Sequence, residues 1–466
     1  MKISFFGAAR QVTGSSYFLE AAGQRLLVDC GLYQERAYLD RNWEPFPVAP
    51  DSLDACLLTH AHLDHCGRLP RLVKEGFSGP IPATFATADL ARIVLLDSAH
   101  IQEEDAAFKK KRHRKEGRTG PHPEVPLYTV AEAEETFPLF RPAPYGTAVP
   151  LSKTASVTFH DAGHILGSAM IEIAVEEKGQ RQIVVFSGDI GQWDKPLVRD
   201  PSVFPQADVI VMESTYGDRD HEDDGTIEDI LIRVIDKTVA RGGNVVIPVF
   251  AVERAQEVLY VLGKLVCSKR IPRVPIFLDS PMAVEVTRLF ARYKNILDEE
   301  ARALYASACP PFDFPGLKLF RTAEESKTIN AIRGSCIILA GSGMANAGRI
   351  KHHLLFNIER PESTVLFVGY QAQGTLGRQI VEGRPEVRIN GRIAKVRAGI
   401  EQIRGFSGHA GKSDLMRWLK SFGRPPRRLF LTHGDGEAAL DLAAHIEREL
   451  GWSVMVPAYG DSTILE

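Results

Sequence analysis

Three histidines and an aspartate stand within six residues, His60-Ala61-His62-Leu63-Asp64-His65, directly after the apolar run at 55–59. Such a run reads as a buried strand, so the cluster sits where a strand ends and a loop begins. Four groups of this kind packed together repel one another and are costly to desolvate unless a cation holds them. Imidazole and carboxylate donors suit zinc first, then manganese or iron. One loop cannot complete two coordination shells. The fold must therefore bring further donors to it from elsewhere.

Each candidate donor also follows a strand. His164 stands in Ala162-Gly163-His164-Ile165-Leu166-Gly167-Ser168, after a strand at 156–160. Asp189 stands in Ser187-Gly188-Asp189, after a strand at 182–187, and His433 in Leu431-Thr432-His433-Gly434-Asp435, after a strand at 428–432. Taken singly, each is what a glycine turn or a helix cap carries. His160 competes with His164. The glycines flanking His164 let the backbone approach closely, and His160 is expected to face the sheet.

The remaining pattern is α/β. Strands are expected at 2–6, 17–21, 25–30, 55–59, 156–160, 170–175, 182–187 and 208–213, with helices at 69–76 and 87–111. From about Gly217 helical periodicity alternates with apolar strands such as NVVIPV, VPIFLD, SCIILA and STVLFV, which predicts a parallel sheet of βαβ units. Near Gly405 the rhythm of the first half resumes, with a helix at 411–421, a strand at 428–432, a helix at 438–450 and a last strand at 453–457. Three segments follow: 1–217, 218–404 and 405–466.

A net charge of −3 excludes a uniformly basic nucleic-acid binder but not a basic groove. One dense basic run, KKKRHRKEGR at 109–118, reads either as a solvated helix end or as a phosphate-contacting loop. No apolar stretch reaches the ~18 residues of a membrane span, and the N-terminus lacks the apolar region of a signal peptide. The six cysteines include no CxxC pair, so reduced thiols and a cytoplasmic protein are expected.

With these motifs in order, the sequence resembles the β-CASP group of metallo-β-lactamase-fold nucleases. That group includes the endonuclease subunit of the pre-mRNA cleavage and polyadenylation machinery and bacterial RNase J. The likeness runs through nearly the whole chain. It is carried by Asp29 in LLVDCG, His60 to His65, His164, Asp189, Glu213 in ESTYGDR, His409 in FSGHA and His433 in LTHGD.

The resemblance implies an αββα sandwich with an inserted α/β domain at 218–404. It implies two zinc ions per chain, with manganese as the alternative metal. One ion takes His60, His62 and His164, and the other takes Asp64, His65 and His433. Asp189 bridges them, and Asp29 steadies the metal loop. A hydroxide held by the two metals attacks phosphorus. His409 is the implied general acid, oriented by Glu213. A histidine at position 433 implies RNA in preference to DNA. The implied activity is hydrolysis of single-stranded RNA, endonucleolytic in the leading reading. Two glycine-rich loops, 341–349 and 369–378, resemble those lining the group's RNA channel. Ser342, Gly343, Lys351, His352 and Arg378 are the phosphate candidates there. The chain begins close to its first motif and ends soon after His433, which gives the expectation of a compact bacterial member. Relatives often form homodimers.

Three other readings stay open at this level. They are a 5′-3′ exoribonuclease, a small-molecule ester or thioester hydrolase of the same superfamily, and a catalytically silent RNA-processing scaffold. The last two fit poorly with an inserted domain of this size and with motifs that are all intact.

Overall fold

The computed structural model describes residues 1–177, 179–221 and 226–465. By internal contact these fall into two units. One comprises Met1–Asp194, Asp200–Asp220 and His409–Glu466, and the other Lys195–Arg199 and His221–Gly408.

The first unit is built on two sheets. The strands of one run in the order Ser462–Ile464, Lys2–Phe5, Tyr17–Ala21, Gln24–Val28 and Ala55–Leu57. Those of the other run Val454–Met455, Arg428–Thr432, Val209–Glu213, Gln180–Phe186, Ala169–Glu177, Ala155–Asp161 and Val149–Pro150. The inner faces meet in one core, where Ile3, Phe5, Leu19 and Val28 pack with Phe159, Ile171, Phe186 and Phe430. Alternation is visible along Ala155–Asp161, whose every second residue is buried through Phe159. The second sheet buries its other face against helices Lys412–Lys420 and Gly436–Leu450, through Trp418, Leu419, Leu442 and Ile446. Residues 209–213 and 428–432 are largely apolar because both faces of their strands are covered.

Parallel pairing of Gln180–Phe186, Val209–Glu213 and Arg428–Thr432 sends their C-terminal ends to the same edge. Asp189, Glu213 and His433 leave from that edge. Three chain segments far apart in sequence thus deliver their polar ends together.

The second unit holds a six-stranded, all-parallel sheet in the order Leu317–Phe320, Ile276–Asp279, Ile337–Ala340, Val245–Pro248, Thr364–Val368 and Gly399–Ile403. Helices such as Arg254–Cys267 and Pro281–Arg292 connect its strands, as the periodicity required.

Several elements depart from expectation. The last expected strand shrinks to Val454–Met455. A further strand, Ser462–Ile464, pairs antiparallel with the first strand. The expectation of reduced cysteines is corrected at one pair. Cys267, at the end of its helix, is disulfide-bonded to Cys309, because the chain after residue 305 folds back to bring their Cα atoms to 6.4 Å. The other four cysteines are free and buried. Among the described residues no helix is long and apolar enough to cross a membrane.

Candidate metal centre

The loop His60–His65 is held by its backbone. Cys30 N–H donates to the His65 carbonyl (2.7 Å) and Ser15 N–H to the Asp64 carbonyl (2.9 Å). Gly31 faces that carbonyl so closely that a Cβ there would lie 1.7 Å from it, and only glycine fits. Asp29, fully buried at φ 59°, accepts from Thr59 N–H and Thr59 Oγ1, both at 2.8 Å, and lies 2.7 Å from His65 Nδ1. A non-glycine residue in the left-handed region costs on the order of 1 kcal/mol or more and persists where its surroundings fix it. His433 is a second case, at φ 48°, and is anchored by its N–H to the Ala8 carbonyl (2.7 Å).

Two groups of donors result. His60 Nε2 lies 3.1 Å from His62 Nδ1, which lies 3.2 Å from His164 Nε2. Asp189 Oδ2 is 3.4 Å from His60 Nε2 and 3.5 Å from His164 Nε2. Its other oxygen, Oδ1, is 3.2 Å from His65 Nε2 and 3.6 Å from His433 Nδ1. His433 Nε2 is 3.4 Å from Asp64 Oδ2. His60, His62, His164 and Asp189 therefore form one cluster, and Asp64, His65 and His433 another. A third grouping joins Asp189, His409 and His433.

This donor set fits divalent metal. Nitrogen donors at about 2.0–2.1 Å on a tetrahedral zinc stand about 3.3 Å apart, close to the spacings here. Asp189 Oδ1 is buried, and its neighbour His65 Nε2 at 3.2 Å makes no aligned hydrogen bond with it, an arrangement that a shared cation would satisfy. Protonation states point the same way. Burial, reinforced by the neighbouring His65, pushes His60 down to about 3. Burial pushes His62 down to about 4, and with His409 it holds His164 well below the ordinary imidazole value. These rings are neutral near pH 7, with lone pairs free for a cation. His65 is the exception. Burial opposes its protonation, but Asp189 and Asp29 flank it and raise it.

Beside the donors lies a second pair. His409 Nδ1 is 3.1 Å from both oxygens of Glu213, and its Nε2 is 3.9 Å from Asp189 Oδ2. Glu213 is buried and also accepts from Ile190 N–H at 2.6 Å. Although burial disfavours its charge, Glu213 and Asp189 raise His409 to about 9.

Thr59 and Thr215 were not among the expected site residues. Thr59 Oγ1 donates to Asp29 and lies 3.1 Å from His60 Nδ1, while Thr215 Oγ1 lies 3.1 Å from His433 Nδ1. Their signal in the sequence is position, since each hydroxyl adjoins a motif residue at a strand end. His160 is in none of the donor groups, and its Nε2 lies 3.1 Å from Glu172 Oε2 on the neighbouring strand.

The phosphate candidates lie in the second unit, and their surroundings differ from expectation. At the start of helix Ile350–Asn357, the N–H groups of Ile350, Lys351, His352 and His353 donate to carbonyls of Gly341, Gly348 and Arg349. At helix Leu376–Val381, Leu376 N–H donates to Asn346 Oδ1, Gly377 N–H to the Met344 carbonyl and Arg378 N–H to Thr375 Oγ1. The amides that open these two helices are thus engaged by contacts within and between the loops. Ser342 Oγ is 3.4 Å from the Ala347 carbonyl, and Gly343 is buried against the Phe250 ring. Lys351 is half-buried and His352 exposed. Arg378 pairs with Glu382 at 2.7 Å.

Two facing sheets with imidazoles and carboxylates gathered at their strand ends define a metallo-hydrolase. The metallo-beta-lactamase superfamily matches residues 9–165, a Beta-Casp domain residues 255–380, and a Zn-dependent metallo-hydrolase RNA specificity domain residues 393–457. Over 442 residues the chain is 42% identical to Ribonuclease TTHA0252 of Thermus thermophilus, covering 95% of each. It is 33% identical over 465 residues to Transcription termination factor FttA of Methanosarcina mazei, covering 97% of this chain and 69% of that one. A solved protein of unknown function from Enterococcus faecalis shares the fold at TM-score 0.57 and 12% identity, covering 100% of this chain and 99% of that one. The chain belongs to the β-CASP branch of the metallo-β-lactamase superfamily.

Proposed function

We propose that this protein is a zinc-dependent endoribonuclease that hydrolyses phosphodiester bonds of single-stranded RNA. The observation that carries the reading is the open carboxylate of Asp189, set among imidazoles on both sides, with the Glu213–His409 pair beside it. In this reading His60, His62 and His164 would hold one zinc and Asp64, His65 and His433 a second, with the Asp189 carboxylate within reach of both donor groups. Manganese is the alternative metal. The bound ions would supply a water activated near neutral pH and positive charge for the departing oxygen. The chain's own residues do the rest. Asp29 fixes the ring of His65. Glu213 keeps His409 charged and turned, so that its Nε2 proton points toward the donor cluster, where it can be given to a leaving 3′-oxygen. The names of the curated relatives, a ribonuclease and a transcription termination factor, support RNA as the substrate.

The metal half is assigned to 1–217 and 405–466 and the β-CASP domain to 218–404. A cytoplasmic protein, not bound to membrane and assembled as a homodimer, accords with this role.

The test is cleavage of one single-stranded RNA labelled in turn at its 5′ and 3′ ends, beside the same sequence as DNA, with His60→Ala as control. Internal RNA fragments made only by the unaltered protein are expected. Mononucleotides from the 5′ end would instead mark an exonuclease. No cleavage of either polymer by metal-loaded protein would overturn the reading in favour of small ester substrates or a scaffold.

A further inference from the structure

The basic run at 109–118 has no part in the chemistry above. It lies on the last turns of the 32-residue helix Phe85–Glu116 and its Gly117 cap. Beyond residue 105, only Ala106 and His113 of this helix are buried. They are two turns apart on one face, and that face receives the returning loop, where His113 Nδ1 lies 2.5 Å from Glu124 Oε1. The rest stands in solvent. Lys109, Lys110, Lys111, Arg112, Arg114 and Lys115 form no ion pair among the described residues, and Phe108 among them is 64% exposed. Ten residues thus carry a net charge of +6 in a chain whose total is −3.

The returning loop then reaches a second feature. His122 stacks on Trp43, with centroids 5.2 Å apart at 10°, and its Nε2 lies 2.7 Å from Asp40. Next in sequence to Asp40, the Arg41 guanidinium lies 4.0 Å from the ring centre of Tyr459 and 4.6 Å from that of Tyr38. Arg41 also donates to Gln11 Oε1 at 2.8 Å, and the Gln11 carbonyl accepts Gly434 N–H at 3.3 Å, one residue from His433. A basic arm and an arginine–aromatic surface are therefore joined through His122, and the surface is linked to the donor cluster by a short hydrogen-bonded path. All of this lies in the first unit.

We propose that these two features form one accessory track for single-stranded RNA outside the metal pocket. Phosphates lie along Lys109–Arg114, and a base stacks on the exposed face of Tyr459. The inference rests on the ribonuclease reading. Unpaired cations on a projecting helix attract a polyanion and release its counterions. Aromatic faces backed by arginine stack on bases of any sequence, which a duplex would hide. The track therefore governs how strongly long substrates bind and leaves the chemical step alone.

The test compares a 20-nucleotide with a 5-nucleotide single-stranded RNA, at 50 and 200 mM KCl, using the full metal-loaded protein. In K109Q/K110Q/K111Q/R112Q, KM for the long RNA should rise about tenfold or more at low salt with kcat unchanged. The salt slope of 1/KM should become shallower by about 3, at roughly 0.7 per phosphate contact. Both constants for the short RNA should stay as they were. Tyr459→Ala should raise KM for the long RNA about fivefold or more and leave the salt slope intact. If the unaltered protein cleaves RNA but the charge variant keeps its KM and slope for the long substrate, the track is wrong and the ribonuclease reading stands. If the unaltered protein cleaves neither RNA, the reading itself falls.

Discussion

Asp189 and Asp279 are both buried carboxylates just past or at the end of a parallel strand, each facing histidine, yet they stand in opposite conditions. Asp279, in the second unit, has both oxygens engaged. Arg349 donates to Oδ1 at 2.7 Å, and Ser326 and His353 meet Oδ2 at 2.5 and 2.6 Å. Burial disfavours its charge, but those three partners outweigh it and lower its pKa. Asp189 has five imidazoles nearby and still leaves Oδ1 without a hydrogen bond. A cluster of ionisable residues is thus not itself a sign of chemistry. What distinguishes the two is unsatisfied valence, which is stabilising to complete and awaits a ligand. At the glycine loops of the second unit the helix-opening amides are likewise engaged, by contacts within and between the loops.

The largest effect should follow from closing the open site. Asp189→Asn should lower cleavage by on the order of 10⁴-fold, since it removes several kcal/mol of charge organisation at about 1.4 kcal/mol per decade. Metal content should fall with it, while the unfolding midpoint of metal-stripped protein should hold or rise. Activity near normal would erase the contrast with Asp279. His409→Ala should slow cleavage about 10²–10⁴-fold and leave metal content by elemental analysis nearly unchanged. Loss of metal would make His409 a ligand, as its grouping with Asp189 and His433 allows. Asp279→Asn should sharpen the comparison from the other side. Breaking a buried pair costs about 3–5 kcal/mol, so denaturant unfolding should shift strongly, with bound metal and kcat per folded molecule unaltered.

The donor residues were legible because each one stands at a strand end, where an apolar run makes the boundary plain. Tyr17–Ala21 and Arg428–Thr432 fall where the pattern placed them. Ser462–Ile464 did not announce itself, since three exposed-edge residues have no periodicity and form a strand only against Lys2–Ser4. The hairpin Glu386–Ile389 with Arg392–Lys395 lies outside the expected strands although its Asn390-Gly391 turn, at φ 49° and 81°, is the usual two-residue signal. Other features have no local signature. Asn346 capping Leu376 and Cys267 meeting Cys309 are contacts across 30 and 42 residues. Amide availability in a glycine loop depends on such contacts, which is why the loops at 341 and 369 look more open in sequence than they are in the fold.

The order of strands also sets a timetable. Between His60 and His433 the chain runs 373 residues, and Arg428–Thr432 enters its sheet beside Val209–Glu213. At about 5–20 residues per second, a ribosome needs roughly 20–75 s to travel that distance. During that interval the nascent polypeptide makes the donors from His60 to Asp189 and still lacks His433. An enzyme directed at RNA thus emerges from its own message with an incomplete donor set, which is filled only after His433 has been made.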